Sequence, residues 1–144
     1  MREKVLVSAC LLGVNCKYDG HNNENDKVLK YLEDKEIIPI CPEIMGGLST
    51  PRDPSERVGK KVYSNKGLDV TDKFTRGAEE TLRLARKLNV HKAILKARSP
   101  SCGYQKIYDG TFNHQIIDGH GITAELLKKN GFEILTEEDI AKRN

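Results

Sequence analysis

Four thiols are the residues of this chain best suited to chemistry. Each lies in a short segment of small and turn-forming residues: Cys10 in SACLLG, Cys16 in GVNCKYDG, Cys41 in ICPEIMGG and Cys102 in RSPSCGYQK. Thiolates are soft donors that suit zinc, copper(I) and iron-sulfur clusters. The paired C-x2-C knuckles of a structural zinc site are absent, since Cys10 and Cys16 have five residues between them and the other two stand alone. No secretory signal is evident, so the thiols are expected to stay reduced. Four buried, inert thiols are the plain alternative, because cysteine is among the most buried residue types.

The elements expected around these thiols converge on one edge of a sheet. Lys4 to Ser8 is a short apolar run that reads as a buried strand leading to Cys10. Asn25 to Glu36 carries Val28, Leu29 and Leu32 at helical spacing. Ile37 to Ile40 is a second apolar run ending at Cys41, although Pro39 would remove a ladder donor from a central strand. Gly46 to Asp53 reads as a loop, and Val58 to Tyr63 with Gly67 to Val70 as a hairpin turning at Ser64 to Lys66. Phe74, Ala78, Leu82, Ala85 and Leu88 mark one face of a long helix capped by Thr71 or Asp72. Lys92 to Lys96 is a third strand that runs into the Cys102 loop. Ile107 to Ile117 reads as a second hairpin or irregular excursion with its turn at Asp109-Gly110. Then follow a helix from Ile122 to Lys129 with Gly131 at its end, a strand from Phe132 to Leu135, and a capping box of Thr136 with Asp139 opening a terminal helix.

Strands alternating with helices imply an α/β fold: one Rossmann-like domain over residues 1–144, with a small parallel sheet of about four strands flanked by helices and small hairpin insertions. Ligands in such sheets gather outside the carboxyl ends of the strands. Cys10, Cys41 and Cys102 would all lie there.

Composition agrees with one domain of ordinary kind, 144 residues with 38% hydrophobic and 31% charged. The net charge of +3, from 24 basic against 21 acidic residues, is spread without a basic block, so no generic nucleic-acid binding is expected. Apolar runs are too short for a membrane span, which makes the cytoplasm the expected location and a membrane an unexpected partner. Without a heptad or a long apolar stripe, a monomer or small homo-oligomer is expected.

The segments SACLLGVNCKYDG, CPEIMGGLSTPR and RSPSCGYQKIYDGTF, with the ending GITAELLKKNGFEIL, resemble the thiouracil desulfidase family of bacteria and archaea, formerly a domain of unknown function. The likeness covers nearly the whole chain, with three separated motifs in order. It implies an oxygen-sensitive [4Fe-4S] cluster held by three cysteines, with one iron open to bind the sulfur of a small thiolated nucleobase or nucleotide of the 2-thiouracil kind. The implied reaction is a redox-neutral, hydrolytic desulfuration in which a thiocarbonyl becomes a carbonyl and hydrogen sulfide leaves.

On that resemblance Cys10, Cys41 and Cys102 are the expected cluster ligands, three thiolates at three strand ends. Cys16 is either a rival ligand or a residue that lines the substrate pocket or assists protonation of sulfide. Glu43, two residues after Cys41, is expected to activate water and then supply protons. Ser99 and Ser101 flank Pro100, and their hydroxyls are expected to orient the base or its water, with Ser101 as the catalytic member. Arg98, and also Arg52, would meet a phosphate if the substrate is a nucleotide. Turn chemistry and solvated surface are the plain readings of these serines and arginines. Tyr18, Tyr104 and Tyr108 are candidates to stack on a base, and Gly46-Gly47 to bring backbone N–H groups to a ligand. The histidines show no ligand pairing and receive no role. Two other classes fit the same thiols: a zinc-stabilised binding module with four structural cysteines, and a sulfur-transfer enzyme that runs the cluster chemistry in the opposite direction.

Overall fold

The computed structural model describes residues 2–143. Its strands are β1 (Lys4–Ser8), β2 (Glu36–Ile40), β3 (Ser55–Val58), β4 (Lys61–Ser64), β5 (Lys92–Leu95), β6 (Lys106–Tyr108), β7 (Ile116–Asp118) and β8 (Glu133–Thr136). Its α-helices are α1 (Asp26–Tyr31), α2 (Pro42–Met45), α3 (Thr71–Leu88), α4 (Ile122–Lys129) and α5 (Glu137–Lys142). The central sheet is parallel, in the order β2-β1-β5-β8, while β3-β4 and β6-β7 are separate antiparallel hairpins.

The two central strands are buried on both faces, which is why Val5, Leu6 and Val7 in β1 and Ala93, Ile94 and Leu95 in β5 read as continuous apolar runs. Alternation along each strand sends these side chains into two layers. Leu6 and Leu95 pack with Leu82 and Ala85 of α3 and Leu127 of α4, whereas Val5, Val7 and Ile94 pack with Val28 of α1 and Ile140 of α5. Each fully buried aliphatic side chain of this size contributes roughly 1.5–3 kcal/mol. Pro39 is tolerated because β2 lies at the edge of the sheet, beside β1.

Several local expectations shift. The first helix ends at Tyr31, its start capped by Asn25 Oδ1, which accepts the Val28 N–H at 3.1 Å. The chain then turns so that Glu36 N–H can reach the Glu3 carbonyl at 2.8 Å and begin β2. Thr71 does not cap α3; its hydroxyl oxygen accepts the Val62 N–H at 2.9 Å and ties the helix start to β4. The first hairpin turns at Gly59 and Lys60 instead of Ser64 to Lys66, with Val58 paired to Lys61 and Gly59 at φ 59. The Ser64 region makes a second turn, closed by a bridge between Tyr63 and Asp69. The second hairpin forms as expected, with Asp109-Gly110 opening the turn 109–115 that joins β6 and β7. The terminal capping box of Thr136 and Asp139 is formed as expected.

Candidate functional site

Three connections that leave the carboxyl ends of β1, β2 and β5 carry Cys10, Cys41 and Cys102. After β1 the chain enters a single 3-10 turn, Ala9–Leu12, which holds Cys10. The Cys10 carbonyl accepts the Asn23 N–H at 2.9 Å, so the following loop, with Cys16 in it, folds back over the strand end. Cys41 is the N-cap residue of α2 and its carbonyl accepts the Met45 N–H at 2.9 Å. All four cysteines line one cavity of about 560 Å³. Cys16 and Cys102 are buried, and Cys10 and Cys41 are partly exposed to the cavity.

The four-residue α2 was not expected from sequence, and its placement depends on glycine. A Cβ on Gly46 would lie 1.9 Å from the Lys73 carbonyl oxygen, and one on Gly77 would lie 1.9 Å from that of Pro42. The backbones of α2 and α3 therefore meet directly, and Gly46 serves helix packing rather than ligand binding. That contact fixes Cys41 at one end of α2 and Glu43 within it. Arg52 Nε donates to Glu43 Oε1 at 3.0 Å, and Arg52 Nη2 donates to the Cys16 carbonyl at 2.9 Å. The guanidinium is thus spent on the site's own framework, not left free for a phosphate.

The Cys102 loop is locked to α4. The N–H groups of Ile122 and Thr123 donate to the carbonyls of Pro100 and Ser101, both at 2.9 Å, which satisfies helix-end donors that Gly121 cannot cap by a side chain. Ser99 lines the cavity, and its Oγ accepts the N–H groups of Ser101 at 3.1 Å and Cys102 at 3.0 Å. Ser101, favoured by the family resemblance, does not line this cavity. It is buried, with its hydroxyl 2.8 Å from that of Thr123. Arg98 lines the cavity, but its Nη2 donates to Glu138 at 2.5 Å, just as Lys96 pairs with Glu137 at 2.8 Å.

The remaining wall comes from the hairpins. Ser55 and Glu56 of β3 and the turn after β6, through Phe112 and His114, reach the cavity, as does Tyr108. Tyr18 lines it too, whereas Tyr104 stacks on His120 with ring centroids 5.1 Å apart and lies outside. Glu56, Phe112 and His114 were missed from sequence. Glu56 turns inward only in the register that β3 and β4 adopt, and Asp109-Gly110 is just the opening of the turn 109–115.

The thiols differ sharply in acidity. A hydrogen bond from Cys16 holds the Cys41 thiol down at about 6, helped by the Ile44 backbone N–H and the Arg52 guanidinium and opposed by burial. The same pairing pushes the Cys16 thiol up. Burial raises Cys102, against a hydrogen bond to Ser8, and burial raises Cys10, against one to Asn23. The neighbouring Cys10, Cys41 and Glu43 raise Cys102 further. Burial also raises Glu43, with Arg52 opposing it.

Among the described residues no three His, Cys, Asp or Glu side chains are placed to hold a single metal ion. Soft thiol donors gathered on one cavity wall suit an iron-sulfur group. No helix among the described residues is long and apolar enough to cross a membrane.

Comparison with known proteins agrees with this chemistry. The family profile described as 2-thiouracil desulfurase matches residues 5–139. The uncharacterized protein YbbK of Bacillus subtilis (strain 168) is 40% identical over 146 residues, covering 94% of this chain and 97% of that protein. A solved structure of TudS, a [4Fe-4S]-dependent thiouracil desulfidase, superposes with a TM-score of 0.92 at 41% identity, covering 98% of this chain and 95% of that one.

Proposed function

The chain belongs to the 2-thiouracil desulfurase family, and from that premise we propose that it replaces the sulfur of a small thiolated nucleobase or nucleotide with oxygen and releases hydrogen sulfide. The observation that carries this reading is the meeting of four thiols and an arginine-held carboxylate, Glu43, on one cavity. A volume of about 560 Å³ is in the range of small-molecule pockets and leaves room for a planar base.

Cys10, Cys41 and Cys102 would hold a [4Fe-4S] cluster, the group named for the similar TudS. With three protein ligands such a cluster supplies an iron with a vacant position, a Lewis acid that polarises the carbon-sulfur bond and stabilises departing sulfide. Cys16 lines the same cavity, its carbonyl oxygen 3.8 Å from Cys41 Sγ, and would face substrate rather than bind the cluster. Arg52 occupies Glu43 Oε1, so Oε2 is the oxygen that takes a proton from the attacking water and passes it to sulfur. One water enters and both its protons leave on hydrogen sulfide, so no electrons are exchanged. Ser99 Oγ accepts two backbone N–H groups and still has its own proton to donate to substrate or water. In this account Ser101 positions the Cys102 loop through Thr123, and Arg98 forms wall, meeting a substrate phosphate only by exchange with Glu138.

Anaerobic reconstitution followed by a panel of thiolated bases, nucleosides and nucleotides tests the proposal. Equal amounts of sulfide and oxo product are expected. A loaded cluster with no sulfide from any compound contradicts it, a colourless zinc protein supports the binding-module reading, and thiolation of an oxo base supports sulfur transfer.

A further inference from the structure

We propose that the turn 109–115 is the specificity-determining wall of the cavity, and that the buried Glu56 is the positioning residue that latches it in place. What the wall contacts rests on the thiolated-base reading above; the latch does not.

Glu56 is 8% exposed, and its Oε1 accepts the N–H groups of Gly110 at 3.0 Å and Phe112 at 3.1 Å. The neighbouring Arg57 turns the other way, to Glu125 and the His120 carbonyl. A carboxylate this buried needs hydrogen bonds to be stable, and bonds to a charged acceptor are among the stronger ones. Strand and turn therefore hold each other. A Cβ on Gly110 would lie 2.4 Å from Val58 Cγ2, so the turn rests directly on β3.

The backbone of the turn is unusual at the residues that reach the cavity. Phe112 has φ 60 and His114 has φ 58, a left-handed conformation that is uncommon outside glycine and that a bulky residue such as Phe112 holds only where its surroundings over-determine it. Both line the cavity with Tyr108, whose ring meets His114 edge to face at 5.8 Å. Three aromatic rings on one hairpin are a surface suited to a planar heterocycle. None of them is used by the bond-breaking chemistry.

Glu56→Ala is expected to speed hydrogen exchange across 108–115, leave iron content of the reconstituted protein unchanged, and raise KM about tenfold while lowering kcat less. Glu56→Gln keeps a carbonyl oxygen for both N–H groups and is expected to exchange and bind much like the parent, which keeps the latch testable if the alanine variant fails to fold. Phe112→Ala is expected to change the preference between a thiolated base and its nucleoside without speeding exchange outside the turn. Unchanged exchange in Glu56→Ala overturns the latch. Unchanged KM with faster exchange, or unchanged preference in Phe112→Ala, overturns the wall. Glu56→Gln matching Glu56→Ala in KM while exchanging like the parent would mean that the carboxylate itself meets substrate, which also overturns the latch. If the parent protein turns over no thiolated base, the desulfidase reading fails alone. Exchange still decides the latch, and equilibrium dialysis with uracil then replaces KM.

Discussion

Arg52 joins Glu43 to the Cys16 loop, donating 3.0 Å to the carboxylate and 2.9 Å to the Cys16 carbonyl. Its Nη1 also holds Ser49 and Thr50 of its own loop, so orientation of the carboxylate is built into the framework. Glu43→Gln is expected to keep full iron content and lose about 10²- to 10⁴-fold in turnover, the usual worth of a positioned acid-base group. Arg52→Gln leaves the carboxylate present but unsteered and is expected to cost about 10- to 100-fold in kcat. Iron analysis beside steady-state kinetics separates lost chemistry from lost cofactor, and full activity in Glu43→Gln would remove it from the mechanism.

Single cysteine variants test the ligand set. Cys10→Ala, Cys41→Ala and Cys102→Ala are each expected to lose the visible absorption and iron of the reconstituted protein. Cys16→Ala is expected to keep both. Loss of iron in Cys16→Ala with retention in one of the others would exchange their roles.

The contact between α2 and α3 gives a stability prediction. Gly46→Ala places a methyl where the Lys73 carbonyl stands, 1.9 Å away, so the helices must separate. Overpacking of this kind costs about 1–3 kcal/mol, measurable by urea denaturation of the cluster-free protein. Iron loading should fall with it, because the displaced helix carries Cys41.

The two serines before Cys102 should respond differently. Ser99→Ala removes a hydroxyl from the cavity wall and is expected to lower kcat about tenfold. Ser101→Ala breaks the hydroxyl pair with Thr123 and is expected to cost about 1 kcal/mol of stability, with the smaller effect on turnover. The opposite order, read from kinetics and denaturation of both variants, would return the catalytic role to Ser101.

Much of the scaffold was legible because its signals are local. The apolar runs of β1 and β5, the face of α3 and the Thr136 capping box each declare themselves within a few residues. Placing Cys10, Cys41 and Cys102 after strand ends followed from those runs and from the rule that parallel strands point one way. What stayed hidden depends on meetings between distant segments. Gly46 and Gly77 are unremarkable until their helices touch, and Glu56 faces the cavity only in the register set by Gly59. Ser99 and Ser101 are equivalent in a loop read as text; the α4 N-terminus decides which hydroxyl turns inward.

In the proposed reaction, water oxygen replaces substrate sulfur without electron transfer. Reconstituted protein should be given 2-thiouracil in heavy-oxygen water, anaerobically and without reductant, and the products analysed by mass and sulfide assay. One sulfide for each labelled uracil is the result expected. Sulfide that appears only with an electron donor, or uracil without the label, would contradict the account.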